Sequence, residues 1–164
     1  MKPSDLIKAV YEGDTKGVQR ALRRGANPNA QYRGTPALLW AVQQNHLSVV
    51  KALVAAGASL NRRDNHGLTP LDQAAGGGMV EIVRFLLQAG ARVNTPTSSG
   101  SALHMACAYD RLTIAKLLLA YGANTEARDA DGRKPISFTR IGKQNPNTAR
   151  KLRALLQNAA RNRR

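Results

Sequence analysis

The sequence predicts an all-α solenoid built from stacked helix-turn-helix units joined by β-turn fingers. Three periodic observations predict it. Gly-Ala recurs at Gly25-Ala26, Gly57-Ala58, Gly90-Ala91 and Gly122-Ala123, at spacings of 32, 33 and 32 residues. Upstream of each stands an apolar set at i, i+3, i+4 spacing: Val18, Ala21, Leu22; Val50, Leu53, Val54; Val83, Leu86, Leu87; and Ala115, Leu118, Leu119. Such a set draws one apolar stripe along a helix. After each corner comes a block that opens a further short helix: Gly34-Thr35-Pro36-Ala37-Leu38, Gly67-Leu68-Thr69-Pro70-Leu71, Ser101-Ala102-Leu103-His104 and Gly132-Arg133-Lys134-Pro135-Ile136. Self-similarity at this period is the signature of a repeat array.

Each unit reads as a helix of roughly two to three turns, a tight connection, a second helix closed by Gly-Ala, and a polar finger of about ten residues. Thr69 can cap exposed N–H groups while Pro70 presets the first helical position. The glycine after each second helix suits a left-handed exit. Helices this short are marginal alone, because nucleation costs more than two turns return, so each unit must bury its apolar face against its neighbours. Toward the C-terminus Leu152, Leu155 and Leu156 form an inward face and the basic residues around them point outward.

Composition supports one folded domain. The chain has 164 residues, 43% of them apolar, which excludes a disordered polyelectrolyte despite a net charge of +15. A lone cysteine, Cys107, allows no intramolecular disulfide, and with three histidines it does not furnish a four-ligand structural zinc site. No cofactor is expected. No run of 18 apolar residues and no signal peptide is visible, so the expectation is a cytoplasmic protein in a reducing compartment.

At Asp64-Asn65-His66-Gly67-Leu68-Thr69-Pro70-Leu71-Asp72-Gln73-Ala74-Ala75, followed by Glu81-Ile82-Val83 and Leu86-Leu87-Gln88-Ala89-Gly90-Ala91, the chain closely resembles an ankyrin repeat. The resemblance implies about five units in a single domain over 4–160: an N-terminal cap (4–30), full repeats (31–62, 63–95, 96–127) and a C-terminal cap (128–160), with a basic tail at 161–164. The copies depart from the family pattern in places. Thr35-Pro36 sits one place early, Ser101-Ala102 replaces Thr-Pro, and the usual histidine survives only as His104, with Leu39, Asp72 and Ser137 at the matching positions. Extra residues around Lys143-Gln144-Asn145-Pro146 lengthen the last unit.

Catalysis finds no support. His104 and Cys107 share one side of a helix, but in the apolar run Leu103-His104-Met105-Ala106-Cys107 the cysteine reads as a small filler and the histidine as a turn residue. His46, His66 and His104 fall in different local positions and do not converge on a metal. Gly76-Gly77-Gly78 lacks the Lys-Ser/Thr of a phosphate loop.

Similar proteins grip other proteins on the concave side, where the fingers and first helices line up. By that resemblance the groove takes Tyr32, Arg33, Thr35, Gln43 and Gln44 from the first full repeat. It takes Asn65, His66, Leu68, Gly76 and Gly77 from the second, and Thr97, Ser98, Ala108 and Tyr109 from the third. Tyr32, Arg33 and Tyr109 are the candidate anchors, being large side chains with a polar end. Trp40 is expected to pack between units with one edge near the groove. The three glycines leave either a frayed helix end or a depression open to a partner's backbone or aromatic group.

Charge is concentrated at one end. By unit it runs +3, +3, 0, 0 and +9. The basic patch comprises Arg140, Lys143, Arg150, Lys151, Arg153, Arg161, Arg163 and Arg164, which reads as a polar cap or as a surface for an anion. The expected function is a non-catalytic interaction module or adaptor, monomeric, that binds another protein, an acidic one included, on its concave face. The alternative is a nucleic-acid-associated adaptor holding phosphates on the basic unit, although only seven aromatics leave no stacking platform among the basic residues. A membrane surface fits less well, because the last helix carries no Trp or Phe anchor.

Overall fold

The structure is a computed structural model that describes residues 4–97, 100–139 and 145–162. In chain order the helices are α1 (Asp5–Glu12), α2 (Thr15–Arg23), α3 (Ala37–Gln43), α4 (Leu47–Ala55), α5 (Pro70–Gly77), α6 (Val80–Gln88), α7 (Ala102–Ala108), α8 (Leu112–Ala120) and α9 (Pro146–Arg161). Each successive pair up to α7 and α8 packs as an antiparallel hairpin, and like helices stack on like. One layer runs α1, α3, α5, α7 and the other α2, α4, α6, α8, α9. The first finger closes as a small antiparallel hairpin, β1 (Gln31–Tyr32) with β2 (Thr35–Pro36), in the register Gln31 to Pro36 and Tyr32 to Thr35. The solenoid is therefore mostly helical with a little strand.

Both kinds of corner close in the same way. At the ends of the second helices, Gly25, Gly57, Gly90 and Gly122 take φ of 87°, 88°, 92° and 85°. The next alanine N–H reaches back to a carbonyl five residues earlier, Ala58 to Leu53 at 2.9 Å and Ala91 to Leu86 at 2.9 Å. This is the left-handed closure that relieves orphan carbonyls at a helix end. The first helices end likewise at Gly13, Asn45, Gly78 and Asp110, where glycine, asparagine and aspartate tolerate the left-handed region.

Helix starts differ with their sequence. Thr69 and Asp72 form a reciprocal capping box: Asp72 Oδ2 accepts from the Thr69 N–H at 2.9 Å and hydroxyl at 2.6 Å. Ser101 and His104 do the same on α7, with His104 Nδ1 accepting from the Ser101 N–H at 3.0 Å. Asp72 thus takes up the task that His104 performs one unit later. In α3 the early Thr35-Pro36 puts Pro36 at the cap position, where no side chain caps the helix.

The last unit departs from expectation. Its first helix is only a 3₁₀ turn, Pro135–Phe138. The Thr139 hydroxyl donates to the Ile136 carbonyl at 2.7 Å and the Thr139 N–H bonds the same oxygen, which closes the turn before an α-helix can propagate. The lengthened connection lies partly outside the described residues, and Asn145 and Pro146 instead open α9. Asn145 accepts there from the N–H groups of Asn147 and Thr148. This helix runs on to Arg161, one residue past the expected cap boundary.

The core is continuous along the stack, from Leu6, Ile7 and Val10 through Leu38, Val50 and Leu53, then Leu71, Val83 and Leu86, to Leu103, Ile114, Leu118, Leu152 and Leu156. Buried alanines at 37, 41, 74, 75, 102 and 106 thin the first helices so that neighbouring backbones come close. A polar spine runs beside this core and recurs with the repeat. Asn29 Oδ1 accepts from the Ser59 N–H at 2.8 Å, Asn61 Oδ1 from Arg92 at 2.9 Å and Asn94 Oδ1 from Asn124 at 2.8 Å. Asn94 Nδ2 also donates to the Gly122 carbonyl at 3.0 Å, so one side chain fixes both the offset and the angle between units.

Asn94→Ala removes both bonds of Asn94 at once. It should cost about 1 kcal/mol of stability, the net worth of a hydrogen bond or two at a partly hydrated site. Urea denaturation followed by circular dichroism measures it, and an unchanged midpoint would show that the spine sets register without adding stability.

Candidate functional site

The two side chains that could suggest chemistry are held in structural roles. His104 is buried; its Nε2–H donates to the Arg133 carbonyl at 3.0 Å while Nδ1 accepts from Ser101. Burial holds its pKa below the usual value, against the weaker pull of the Arg133 carbonyl. Cys107 is fully buried, and burial pushes its thiol up to about 12, so it carries no thiolate at neutral pH. Among the described residues no cluster of three His, Cys, Asp or Glu could hold a metal ion.

The groove residues read from the sequence divide into three settings. Tyr32 and Arg33 lie at the tip of the first finger and line a hollow of about 350 Å³ together with Ile7, Lys8, Tyr11, Glu12 and Trp40. Trp40 is its floor: Nε1–H donates to the Tyr32 carbonyl at 3.4 Å, and its ring meets Tyr11 edge to face at 5.8 Å and Tyr32 at 6.5 Å. The Arg33 guanidinium lies 5.3 Å from the Tyr32 ring centre. Tyr11, 55% exposed, was not among the residues read from the sequence. It stands two residues before the left-handed Gly13, as Gln43 stands before Asn45 and Gly76 before Gly78, so carrying the groove register back one unit would have found it.

A second group holds the fingers together. Thr35 is half-buried in the hairpin opposite Tyr32, and Leu68 is half-buried in the second finger. Asn65 Nδ2 donates to the Arg33 carbonyl at 3.1 Å, and its amide sits where a side chain on Gly34 would stand. His66 is exposed, its N–H donating to Asp64 at 2.9 Å. Thr97 is buried and turns its hydroxyl onto the Gly100 carbonyl, which removes it from the groove; Ser98 lies outside the described residues. Gln43 and Gln44 end α3 half-buried, and Ala108 is exposed.

The third setting is the triglycine. Of the two alternatives, a frayed helix end or an open depression, the space over the first glycine is taken by the next unit: the Tyr109 ring lies 3.5 Å from where a Cβ on Gly76 would be. Arg111 Nε donates to the Gly76 carbonyl at 3.2 Å, with its guanidinium over Gly78. Above Gly77 is the Met79 methyl. Gly76 and Gly77 are thus seats for neighbouring side chains, and the Tyr109 that covers Gly76 is itself 48% exposed.

Of the basic patch, Arg150, Lys151, Arg153 and Arg161 are exposed on α9, and among the described residues none has an ion-pair partner. Arg140, Lys143, Arg163 and Arg164 lie outside the described residues. The basic groups of the preceding finger are occupied: Arg133 pairs with Asp129 at 2.9 Å and Asp131 at 2.6 Å, and Lys134 with Glu126 at 2.6 Å. Although burial opposes the charge on Asp129, the Arg133 N–H and guanidinium hold its carboxyl below the usual range.

Comparison with known proteins agrees with this architecture. The family model described as "Ankyrin repeats (3 copies)" matches residues 6–97, and that described as "Ankyrin repeats (many copies)" matches residues 86–138. E3 ubiquitin-protein ligase Ufd4 of Drosophila melanogaster is 39% identical over 90 residues, 55% of this chain and 3% of that protein. Ankyrin repeat and KH domain-containing protein mask, also of Drosophila melanogaster, is 38% identical over 103 residues, 61% of this chain and 3% of that protein. Ankyrin repeat and SOCS box protein 9 of Mus musculus is 28% identical over 98 residues, 60% of this chain and 34% of that protein. The chain spans a minor part of the length of each. Among the described residues no helix is long and apolar enough to cross a membrane.

The His104 arrangement carries a sign for pH. The fold favours the neutral ring, so its contribution is complete above the usual pKa of about 6.5 and is lost as pH falls toward the lowered value. Acidification from about pH 7 to pH 5 should lower the melting temperature of the wild type, and His104→Gln, which keeps an acceptor for Ser101 but does not titrate, should lose less. Equal losses in the two proteins would remove His104 as the source.

Proposed function

The chain belongs to the ankyrin-repeat family, whose repeats are in general protein-interaction modules, and from that premise we propose a non-catalytic adaptor that holds a protein partner on its concave side. The observation that carries the reading is the cluster of Tyr11, Tyr32 and Trp40, whose rings face a hollow that no other part of the described chain fills. Aromatic side chains at such a site bury large area at low rotational cost when a partner covers them. A larger depression of about 570 Å³ between α1 and α2 is lined by hydrated charges of both signs, including Asp5, Glu12, Arg20 and Arg24, and lacks that aromatic floor.

A photoreactive phenylalanine analogue at His66, on the groove, should give discrete protein adducts in native lysate, while the same analogue at Lys116, exposed on α8, should give none of them. The same adducts in equal yield from both positions would overturn the concave-face assignment.

The α9 helix favours a second reading. Arg150, Arg153, Gln157 and Arg161 fall on one exposed face, apart from the buried Leu152 and Leu156, in a stripe about 16 Å long at 1.5 Å per residue. No large apolar side chain interrupts it, so it suits phosphates better than a lipid interior. If it binds a duplex backbone, replacing Arg150, Arg153 and Arg161 with Gln should reduce the slope of log K against log salt by about 2 to 3. Fluorescence anisotropy with a labelled DNA duplex reads this, and an unchanged slope would reject the reading.

A further inference from the structure

The hollow at the first finger has a feature that its packing does not require. Among the described residues, three that are not glycine adopt left-handed backbone: Asn45 at φ 58°, Asp110 at φ 56° and Arg33 at φ 50°. Asparagine and aspartate take this region readily, because their short polar side chains bond locally; arginine does not. Arg33 is the first central residue of the two-residue turn between Tyr32 and Thr35, with Gly34 at φ 75° beside it. A turn of that hand favours Asn-Gly or Asp-Gly. An arginine there therefore costs backbone strain, and strained residues of this kind concentrate where function needs the side chain.

What the strain holds in place is a guanidinium at the mouth of the hollow. Arg33 is exposed, and its backbone is pinned by Asn65 Nδ2 on its carbonyl at 3.1 Å. Lys8 stands at the same mouth, exposed on α1, and Glu12 is the one carboxylate among the lining residues. Two cations against one anion leave the rim net positive. The floor and walls, Ile7, Tyr11, Tyr32 and Trp40, are apolar or aromatic. A volume of about 350 Å³ lies at the small end of ligand clefts and is the scale of a single large side chain. The rings do not favour a cationic guest, because Arg33 already lies over the Tyr32 face and Lys8 would repel a second positive charge.

We propose that this hollow receives one large apolar side chain, such as Phe or Leu, from a partner segment whose neighbouring residues are Asp or Glu, the carboxylates meeting Arg33 and Lys8. The inference rests on the concave-face reading above and narrows it to an acidic segment with an apolar anchor. The apolar side chain supplies the burial, and the carboxylates select the partner and speed its approach.

The chain carries one tryptophan, Trp40, so its fluorescence reads the hollow directly. Three blocked pentapeptides serve as probes in low salt: Glu-Asp-Phe-Asp-Glu, the same peptide with Ala for Phe, and Lys-Arg-Phe-Arg-Lys. The acidic Phe peptide should change Trp40 emission saturably below about 5 mM, and replacing Phe with Ala should weaken it more than tenfold. The basic peptide should give no saturable change.

Arg33→Asn is the decisive variant. It relieves the turn while removing the cation, so the melting temperature should hold or rise while peptide affinity falls about fivefold. Tyr11→Ala should abolish the signal with the far-ultraviolet circular dichroism spectrum intact. The proposal is overturned if the basic peptide binds as well as the acidic one, if the acidic Phe peptide gives no saturable change, or if Arg33→Asn destabilises the fold and leaves affinity unchanged. Groove adducts at His66 without peptide binding would sink the acidic-anchor chemistry alone. Peptide binding without adducts would sink the concave-face reading for a whole protein partner and leave the hollow's specificity standing.

Discussion

Every other feature of this molecule depends on one constraint: no unit can bury its own apolar stripe. Helix α3 has seven residues and α7 has seven, each too short to hold together in water. Their stability comes from being covered by the preceding unit, the following unit and their own hairpin partner. Leu38, Leu71 and Leu103 are buried in this lateral sense, one per unit along the stack. Because the apolar contact is tolerant of small slips, polar groups set the register. The left-handed corners fix where each helix ends, and Asn29, Asn61 and Asn94 tie each corner to the next at a defined offset. Burial makes the stack stable, and directional bonds make it one stack rather than several.

The parts of this arrangement that repeat locally were legible in the sequence. Gly-Ala corners, apolar triplets and the Thr69-Pro70 helix start each encode their geometry within a few residues, so the helical layers could be read without coordinates. The asparagine spine repeats just as regularly, but its partners lie about thirty residues away, and a search for helix signals passes over polar residues in loops. The short Pro135–Phe138 turn was missed for a different reason. Its proline start looks like a helix start, and the competing hydrogen bond from Thr139 that ends it is visible only once the hydroxyl is placed.

Site residues were legible in proportion to how local they are. Tyr32 and Arg33 could be placed on a fingertip from the turn chemistry, yet the hollow they line needs Tyr11 from the cap, 21 positions before Tyr32 in the numbering. Reading the first unit only as a cap hid it. The triglycine is the reverse case, where a frayed helix end and a depression both stood open. Missing side chains suggest empty space in a sequence, but in a close-packed stack the next unit supplies Tyr109 and Arg111 to fill it. One register position thus serves two ends: in the second full repeat it is small and seats a neighbour's ring, and in the first unit it is Tyr11 and borders open space.

The distribution of charge follows from the same division of labour. The two middle repeats are neutral by count, and Arg133 and Lys134 of the finger before α9 are paired with Asp129, Asp131 and Glu126. The surplus of positive charge therefore lies in the two N-terminal units and the last one, and it includes Arg33 and Lys8 beside the hollow and the exposed Arg150, Lys151, Arg153 and Arg161 on α9. Unscreened charge of one sign acts over roughly a Debye length, about 8 Å at physiological ionic strength, so it speeds encounter and selects the sign of a partner more than it adds to lifetime. Lifetime has to come from buried area, and the cluster of Tyr11, Tyr32 and Trp40 offers it at the N-terminal end. A partner that used both ends would need acidic groups opposite each end and its apolar anchor beside the first. Such a partner would carry its asymmetry in its own sequence, and that asymmetry would set its direction along the stack.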